Sequence, residues 1–354
     1  MPSPHFLRKR RPITTPAPDG APPAPWQHEL RRAVRDPNVL LHRLGLSELA
    51  HRTRAGQRLW PLRVPEPFIR RMRRGDPADP LLRQVLPLDA ELASPVGFGT
   101  DPLEERSART APGLLQKYRG RALLITTGVC GIHCRYCFRR HFPYAETSVS
   151  GAWEPALGAV RADPRIRELI LSGGDPLSLA DSRLADLAAA LTHVPHLRTL
   201  RIHTRLPVVI PSRVCDSLLV WMERVRQRLV VVLHVNHANE LDDPEVHRAL
   251  FRLRQTGATL LNQSVLLCGV NDSVESLCAL SEALLDNGVL PYYLHTLDPV
   301  QGAAHFGIDD RRALRLYRDM RERLPGYLVP RLVRELPGKP YKVDLAASDP
   351  VVVS

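Results

Sequence analysis

The chain has 354 residues, 44% of them hydrophobic, which is enough to bury one large core or one core with a smaller appendage. Lysine and arginine exceed aspartate and glutamate by 49 − 37 = 12, but the excess is scattered rather than clustered, so it does not favour a nucleic-acid partner. No run of about 18 apolar residues occurs and no apolar stretch follows the N-terminal charges. The sequence therefore predicts neither a membrane span nor a secretory signal, and the cytoplasm is the expected compartment.

The N-terminal third divides into two segments. Residues 1–26 carry four consecutive basic residues and then a run rich in Pro, Ala and Gly, which predicts a disordered basic leader. A mitochondrial transit peptide is the alternative because acidic residues are absent before Asp19, although the prolines oppose an amphipathic helix. Residues 27–115 show apolar residues at helical spacing around Leu40, Leu41, Leu44 and Leu49, which predicts a small helical N-terminal subdomain.

Apolar strand-like runs then alternate with amphipathic helical segments over residues 116–330. The strand candidates are residues 122–127, 169–172, 199–203, 229–235, 259–266 and 292–297. The helical candidates are residues 183–191, 212–226, 244–255, 273–285 and 311–324. This alternation predicts the α/β class and a parallel sheet closed into a partial (β/α)6 barrel, followed by a C-terminal segment over residues 331–354.

Polar residues collect where the predicted strands end. The groups are Gly173-Gly174-Asp175, His203-Thr204-Arg205, Asn236-His237 and Asp298. Active sites of parallel α/β barrels lie at the carboxyl ends of their strands, so these residues are candidates for one site.

Three of the six cysteines follow the first strand with the spacing C-x3-C-x2-C. Cys130, Cys134 and Cys137 could bind three irons of a [4Fe–4S] cluster and leave the fourth iron open. A zinc site is the alternative, and it would need a fourth ligand such as His133 or His141. Zinc ligands usually come in two pairs and no second pair occurs, so the spacing favours the cluster.

This motif, with Tyr136 directly before the last cysteine, resembles that of the radical S-adenosylmethionine superfamily. The resemblance implies that the open iron binds the amino and carboxylate groups of S-adenosylmethionine, which is cleaved to give a carbon radical. Gly173-Gly174-Asp175 resembles the segment that recognises the methionine amino group. Glycine also allows close approach of a backbone to a ligand.

Flanking segments resemble the lysine 2,3-aminomutases within that superfamily. Lys117, Tyr118 and Arg121 match the segment that binds the phosphate and ring of pyridoxal phosphate, and cations there suit a phosphate. Arg139 matches the arginine that binds the substrate carboxylate, for which its planar fork is suited. The segments containing His203, Arg205 and His237 match residues around S-adenosylmethionine and the coenzyme.

The C-terminal run Glu335-Leu-Pro-Gly-Lys-Pro-Tyr-Lys342 matches the segment that carries the Schiff-base lysine. Alignment on its Pro-Gly pair implies that Lys342 is this lysine, and Lys339 stays open as the alternative. Asp298 and Glu335 match the two acids that bind the distal ammonium of the substrate.

Residues 291–295 and 301–306 resemble the short bacterial members that act in β-lysylation of elongation factor P. The resemblance implies conversion of L-lysine to (R)-β-lysine by a radical amino shift, an electron donor of the flavodoxin or ferredoxin type, a functional link to elongation factor P and its lysyl-transferring ligase, and a homo-oligomeric state. The alternatives are an aminomutase for another amino acid or with a catabolic role, and, from another class, an iron–sulfur or zinc protein that binds RNA.

Overall fold

The computed structural model describes residues 24–144 and 153–348. The predicted leader therefore lies outside the described residues except for its last three positions, and so do the last six residues of the C-terminal segment. No helix within the described ranges combines the length and the apolar composition that a membrane crossing requires.

Ten strands of the described residues form one sheet in which each strand pairs with the next along the chain. They are β1 (Arg109–Ala111), β2 (Leu114–Tyr118), β3 (Arg121–Thr127), β4 (Glu168–Gly173), β5 (Thr199–Thr204), β6 (Arg228–Leu233), β7 (Thr259–Val265), β8 (Leu290–His295), β9 (Arg331–Arg334) and β10 (Val343–Asp344). Strands β3 to β9 are parallel, whereas β1, β2 and β10 pair antiparallel at the two ends. Within the described ranges β1 and β10 do not pair, so the barrel is open.

The predicted α/β partial barrel is confirmed, and each of the six predicted strands lies on one of β3 to β8. These strands are rich in apolar residues because helices or other chain cover both faces of a parallel sheet. Leu124 and Ile125 in β3 and Leu169 and Leu171 in β4 are almost completely buried. Four further strands extend the sheet beyond the prediction, and β9 adds a seventh parallel strand.

Apart from the four-residue helix Leu206–Val209, the helices of the described residues are shorter before the sheet than within it. They are α1 (Pro25–Arg32), α2 (Pro37–Leu44), α3 (Arg54–Leu59), α4 (Glu66–Ile69), α5 (Pro80–Arg83), α6 (Glu154–Ala162), α7 (Asp181–Thr192), α8 (Leu206–Val209), α9 (Asp216–Arg224), α10 (Pro244–Gln255), α11 (Val274–Asp286) and α12 (Asp310–Arg323). The five predicted helical segments correspond to α7, α9, α10, α11 and α12. Helix α10 has the bounds that the sequence predicted, because Asp243 accepts from the backbone N–H of Glu245 and a proline opens the first turn.

The N-terminal helices pack on the barrel rather than apart from it. Trp26, Leu40 and Phe68 belong to the same buried apolar cluster as Leu169 and Leu200 of the sheet. Burial of apolar side chains is the main stabilising contribution to folding, so this shared core fixes the helical segment against the barrel. The segment that follows these helices supplies Leu103 and Glu105 to the wall of the site described next.

Candidate active site

A cavity of about 250 Å³ lies within the barrel and extends to the carboxyl ends of its strands. Its wall contains all but one of the residues that the sequence predicted for the site. These are Lys117, Tyr118, Arg121, Cys130, Cys134, Tyr136, Cys137, Arg139, Gly173, Gly174, Asp175, His203, Arg205, Asp298, Glu335 and Lys342. His237 does not line the cavity. Its Nδ1 instead accepts from the backbone N–H of Asn239 at 3.1 Å and caps a short 3₁₀ turn.

The three cysteines project from the loop that follows β3, and a buried ion-pair network fixes this loop. Arg135 and Arg140, from inside and just after the motif, both donate to Glu91 Oε2, at 2.5 and 2.6 Å. Both arginines and Glu91 are almost completely buried. Because an uncompensated buried charge is costly, this shared carboxylate holds the cysteine loop in one conformation.

The thiols of the three cysteines are close enough to affect one another electrostatically. Burial, and then the neighbouring Cys134, raises the pKa of Cys137 to about 11, and burial with Cys137 and Asp175 raises the pKa of Cys130. A cationic group bound between the sulfurs would favour their thiolate forms. No set of three or more His, Cys, Asp or Glu side chains in the described ranges converges on a single metal ion. An iron–sulfur cube instead binds its thiolates at separate irons, so three separated sulfurs on one loop fit the cluster.

The Gly-Gly-Asp segment at the end of β4 has a structural reason for each residue. A Cβ at Gly173 would lie 2.5 Å from the carbonyl oxygen of Thr127, and one at Gly174 would lie 2.4 Å from that of Val129. Asp175 accepts from Thr204 Oγ1 at 2.7 Å and from the backbone N–H groups of Leu177, Arg205 and Leu206. The two glycines therefore allow the segment to pack against the start of the cysteine loop. Asp175 connects the end of β4 to the end of β5 by hydrogen bonds.

Arg205 lies between the cysteine loop and the N-terminal segment. Its Nη1 donates to Cys134 Sγ at 2.7 Å and to the Tyr136 hydroxyl at 2.8 Å. Its Nη2 donates to Gln84 Oε1 at 2.7 Å and to Glu240 Oε2 at 2.8 Å. Glu240, Cys134 and Tyr136 stabilise the guanidinium despite its burial and raise the pKa of Arg205. The arginine thus places a fixed positive charge beside one cluster cysteine.

Arg139 is buried with its guanidinium bound to a carboxylate that the sequence analysis missed. Nε and Nη2 donate to the two oxygens of Glu105 at 2.6 and 2.8 Å, and Nη1 donates to Ser172 Oγ at 2.8 Å. Burial alone would raise the pKa of Glu105, but the charges of Arg139 and Lys117 outweigh it and lower that pKa. Glu105 is therefore a carboxylate.

Next to this pair, two lysines share one carboxylate. Lys117 Nζ lies 2.8 Å from Glu335 Oε1, and Lys342 Nζ donates to Glu335 Oε2. Burial would raise the pKa of Glu335, but the two lysines outweigh it and hold the pKa well below its usual value. Lys342 lines the cavity, whereas Lys339 is exposed in the turn between β9 and β10.

Asp298 contrasts with Glu335 because the described residues provide no hydrogen bond or ion pair to its carboxyl group. It lines the cavity after β8, and burial together with the charge of Glu335 raises its pKa to about 7. An unpaired buried carboxyl group of this kind is stabilised when a cation binds beside it.

Three histidines line the cavity, namely His203 in β5, His234 directly after β6 and His295 at the end of β8. Burial, with smaller contributions from neighbouring cations, lowers the pKa of His234 and of His295 to about 3, and burial with His234 also lowers that of His203. The three rings are therefore neutral. Nε2 of His203 and of His295 has no hydrogen-bond partner among the described residues. His234 and His295 were missed because each lies inside a run that the sequence predicts as a buried strand, residues 229–235 and 292–297.

No family model matches the chain. The L-lysine 2,3-aminomutase of Escherichia coli (strain K12) is 49% identical over 323 residues, covering 90% of this chain and 94% of that protein. The L-lysine 2,3-aminomutase of Haemophilus influenzae is 48% identical over 319 residues, with the same coverage of both chains. The L-lysine 2,3-aminomutase of Clostridium subterminale is 35% identical, covering 74% of this chain and 63% of that protein. Among solved structures, Streptococcus suis SuiB is similar with a TM-score of 0.46 and 13% identity, covering 62% of this chain and 50% of that one.

The sequence similarity to the first two relatives spans nine-tenths of the chain at nearly one-half identity. The chain therefore belongs to the L-lysine 2,3-aminomutase family of radical S-adenosylmethionine isomerases.

Proposed function

We propose that this enzyme converts L-α-lysine to (R)-β-lysine by a 1,2-amino shift. Family membership implies a [4Fe–4S] cluster and S-adenosylmethionine, and we propose pyridoxal phosphate as the third cofactor. The observation that carries the proposal is a cavity lined by the cluster cysteines together with Arg139, Asp298 and Lys342. Close relatives named L-lysine 2,3-aminomutase support the same substrate.

The charged groups of the cavity suit a diamino acid. Arg139 keeps N–H donors that could bind the α-carboxylate. Asp298 forms no ion pair within the described residues, and the distal ammonium of lysine would supply one. An ammonium bound there would lower the pKa of Asp298 from about 7 and keep its carboxyl group ionised at neutral pH. An anionic side chain would instead meet Asp298 and Glu335, so the site favours lysine over glutamate.

The residues of one wall fit pyridoxal phosphate. An aldehyde needs a primary amine, and Lys342 presents one inside the cavity, whereas Lys339 is exposed. A phosphate needs cations, and Lys117 and Arg121 both line the cavity. The guanidinium of Arg121 lies 4.5 Å from the ring centroid of Tyr118, so the aromatic face and the cation are held together. Glu335 would hold Lys117 and Lys342 on one side of the cavity.

When bound, the cluster and S-adenosylmethionine would supply a carbon radical that removes a substrate hydrogen, and pyridoxal phosphate would supply the carbonyl and π-system for migration of the amino group. The protein holds substrate and cofactors in a fixed geometry and excludes water and oxygen. The neutral rings of His203, His234 and His295 add polar contacts without adding charge.

The substrate and its stereochemistry can be tested together. We expect enzyme reconstituted without oxygen with iron, sulfide and pyridoxal phosphate to form β-lysine from L-lysine when reductant and S-adenosylmethionine are added. Chiral derivatisation before mass spectrometry should show the R enantiomer. Formation of β-glutamate from glutamate with no β-lysine from lysine would refute the substrate assignment.

We further propose that the β-lysine serves the modification of elongation factor P, with a flavodoxin or ferredoxin as the electron donor. The likeness of residues 291–295 and 301–306 to the members that act in this modification supports the proposal. Deletion of the gene should reduce the mass of elongation factor P by the β-lysyl group, and added β-lysine should restore it. An unchanged mass after deletion would point to a catabolic role instead.

A further inference from the structure

Glu105 is a buried charged residue for which the proposed reaction gives no role. It lies in the segment before β1, and its side chain lines the cavity with only 2% of the residue exposed. Asp101 fixes this segment by accepting from the backbone N–H of Glu105 at 2.9 Å. The carboxylate is therefore held in place from its own backbone, and not only by the side chains that it contacts.

The contact between Glu105 and Arg139 uses one edge of the guanidinium. Nε and Nη2 donate to the two carboxylate oxygens at 2.6 and 2.8 Å, a bidentate arrangement that fixes the plane of the group. Nη1 donates to Ser172 Oγ at 2.8 Å. An arginine has five N–H groups, so one remains on Nη1 and one on Nη2. These two lie on the end of the guanidinium that is not bound by Glu105.

Lys117 joins this pair to Glu335 and Lys342. Its Nζ lies 3.1 Å from Glu105 Oε1 and 2.8 Å from Glu335 Oε1, and Glu335 also binds Lys342. Positive and negative groups therefore alternate from Arg139 to Lys342. Because each charged group has neighbours of opposite sign, their attraction offsets the free energy that burial of these charges costs. The contacts also restrain the position of each side chain.

We propose that Glu105 is a positioning residue that orients Arg139 so that its two remaining N–H groups receive the substrate carboxylate. Glu105 also cancels the charge of Arg139, so the carboxylate is recognised by directed hydrogen bonds and not by net charge alone. The inference rests on the proposed function because it takes an amino acid with a free carboxylate as substrate.

The test compares two ligands that differ only in the carboxylate. L-lysine and 1,5-diaminopentane would each be titrated into reconstituted holoenzyme without S-adenosylmethionine, with the absorbance of the bound coenzyme as the readout. Loss of a hydrogen bond to a charged group typically weakens an interaction by about tenfold or more, so Glu105→Gln should weaken L-lysine binding by about that factor. Binding of 1,5-diaminopentane should change by less than about twofold, because it has no carboxylate for Arg139. Glu104→Gln, a substitution at the exposed neighbour, is the matched control and should affect neither ligand.

Equal weakening of both ligands would show a merely structural role and overturn the proposal, as would unchanged binding of L-lysine. If Glu105→Gln does not fold, Ser172→Ala is the second test of the proposal. It removes the hydroxyl group that accepts from Arg139 Nη1 and leaves no buried charge unpaired. It should weaken L-lysine selectively, and unchanged L-lysine binding in folded Ser172→Ala would refute the inference. Wild-type enzyme that binds neither ligand would instead contradict the proposed function.

Discussion

Replacement of Asp298 by Asn should stabilise the cofactor-free protein while it removes the substrate site. The carboxyl group has no hydrogen bond or ion pair with the described residues, and its pKa rises from 3.8 to about 7 because burial and the charge of Glu335 outweigh the charges of Lys342 and Lys117. At about 1.4 kcal/mol per pH unit, this rise corresponds to about 4 kcal/mol. Asparagine carries no charge, so it avoids this cost.

The pH dependence of the effect has a definite sign. Between pH 3.8 and about 7 the folded protein holds a proton on Asp298 that the unfolded chain has released. The free energy of unfolding of the wild type therefore falls as pH rises through this window, and the full loss is present above about pH 7. The free energy of unfolding of Asp298→Asn should thus be close to that of the wild type at pH 4. At pH 8 it should exceed the wild-type value by up to about 4 kcal/mol.

Urea unfolding of both proteins across this pH range measures the difference directly. Asp242→Asn, at an exposed position, is the control and should show no such trend. A difference that does not vary with pH, or a variant less stable than wild type at pH 8, would refute the reasoning. L-lysine should no longer bind productively to the variant, since its distal ammonium loses a carboxylate partner.

Three further outcomes follow from the same geometry. Lys342→Ala should abolish covalent labelling of the enzyme by pyridoxal phosphate and borohydride, whereas Lys339→Ala, at an exposed position, should retain the label. Peptide mapping that finds the label on Lys339 would contradict the assignment. Glu91→Gln should lower the free energy of unfolding by about 3–5 kcal/mol, measured in urea, because two buried guanidinium groups lose their carboxylate partner. The iron content of the reconstituted variant should also fall. Gly174→Ala should lower the melting temperature of the protein, because its Cβ would lie 2.4 Å from a carbonyl oxygen. Gly158→Ala is the control, since no atom lies near its Cβ, and it should raise the melting temperature because a glycine inside helix α6 costs about 1 kcal/mol relative to alanine.

The sequence was sufficient to predict the central sheet because parallel strands are buried on both faces. Leu169, Ile170 and Leu171 of β4 form an apolar run between polar segments, and such a run has few other structural solutions. The outer strand β2 was missed because its last residues, Lys117 and Tyr118, were interpreted only through their resemblance to a segment that binds the coenzyme phosphate. The strand places both residues at the wall of the cavity.

The site was predictable where spacing along the chain dictates chemistry and not where tertiary contacts do. Cys130, Cys134 and Cys137 are close because eight consecutive residues contain them. Glu105 has no local pattern that distinguishes it from exposed Glu104, and only the distant Arg139 gives it a buried partner. Ion pairs between residues that lie far apart along the chain produce no periodic pattern in the sequence.

The central claim is that one cavity combines the cluster cysteines with the coenzyme lysine for rearrangement of L-lysine. Wild type and variants would be reconstituted without oxygen and incubated with reductant, S-adenosylmethionine and L-lysine, and β-lysine would be measured by mass spectrometry. We expect wild type, Cys278→Ala and Lys339→Ala to form β-lysine, and Cys134→Ala and Lys342→Ala to form none. Cleavage of S-adenosylmethionine by wild type with no change in lysine, or β-lysine formation by Lys342→Ala, would contradict the account.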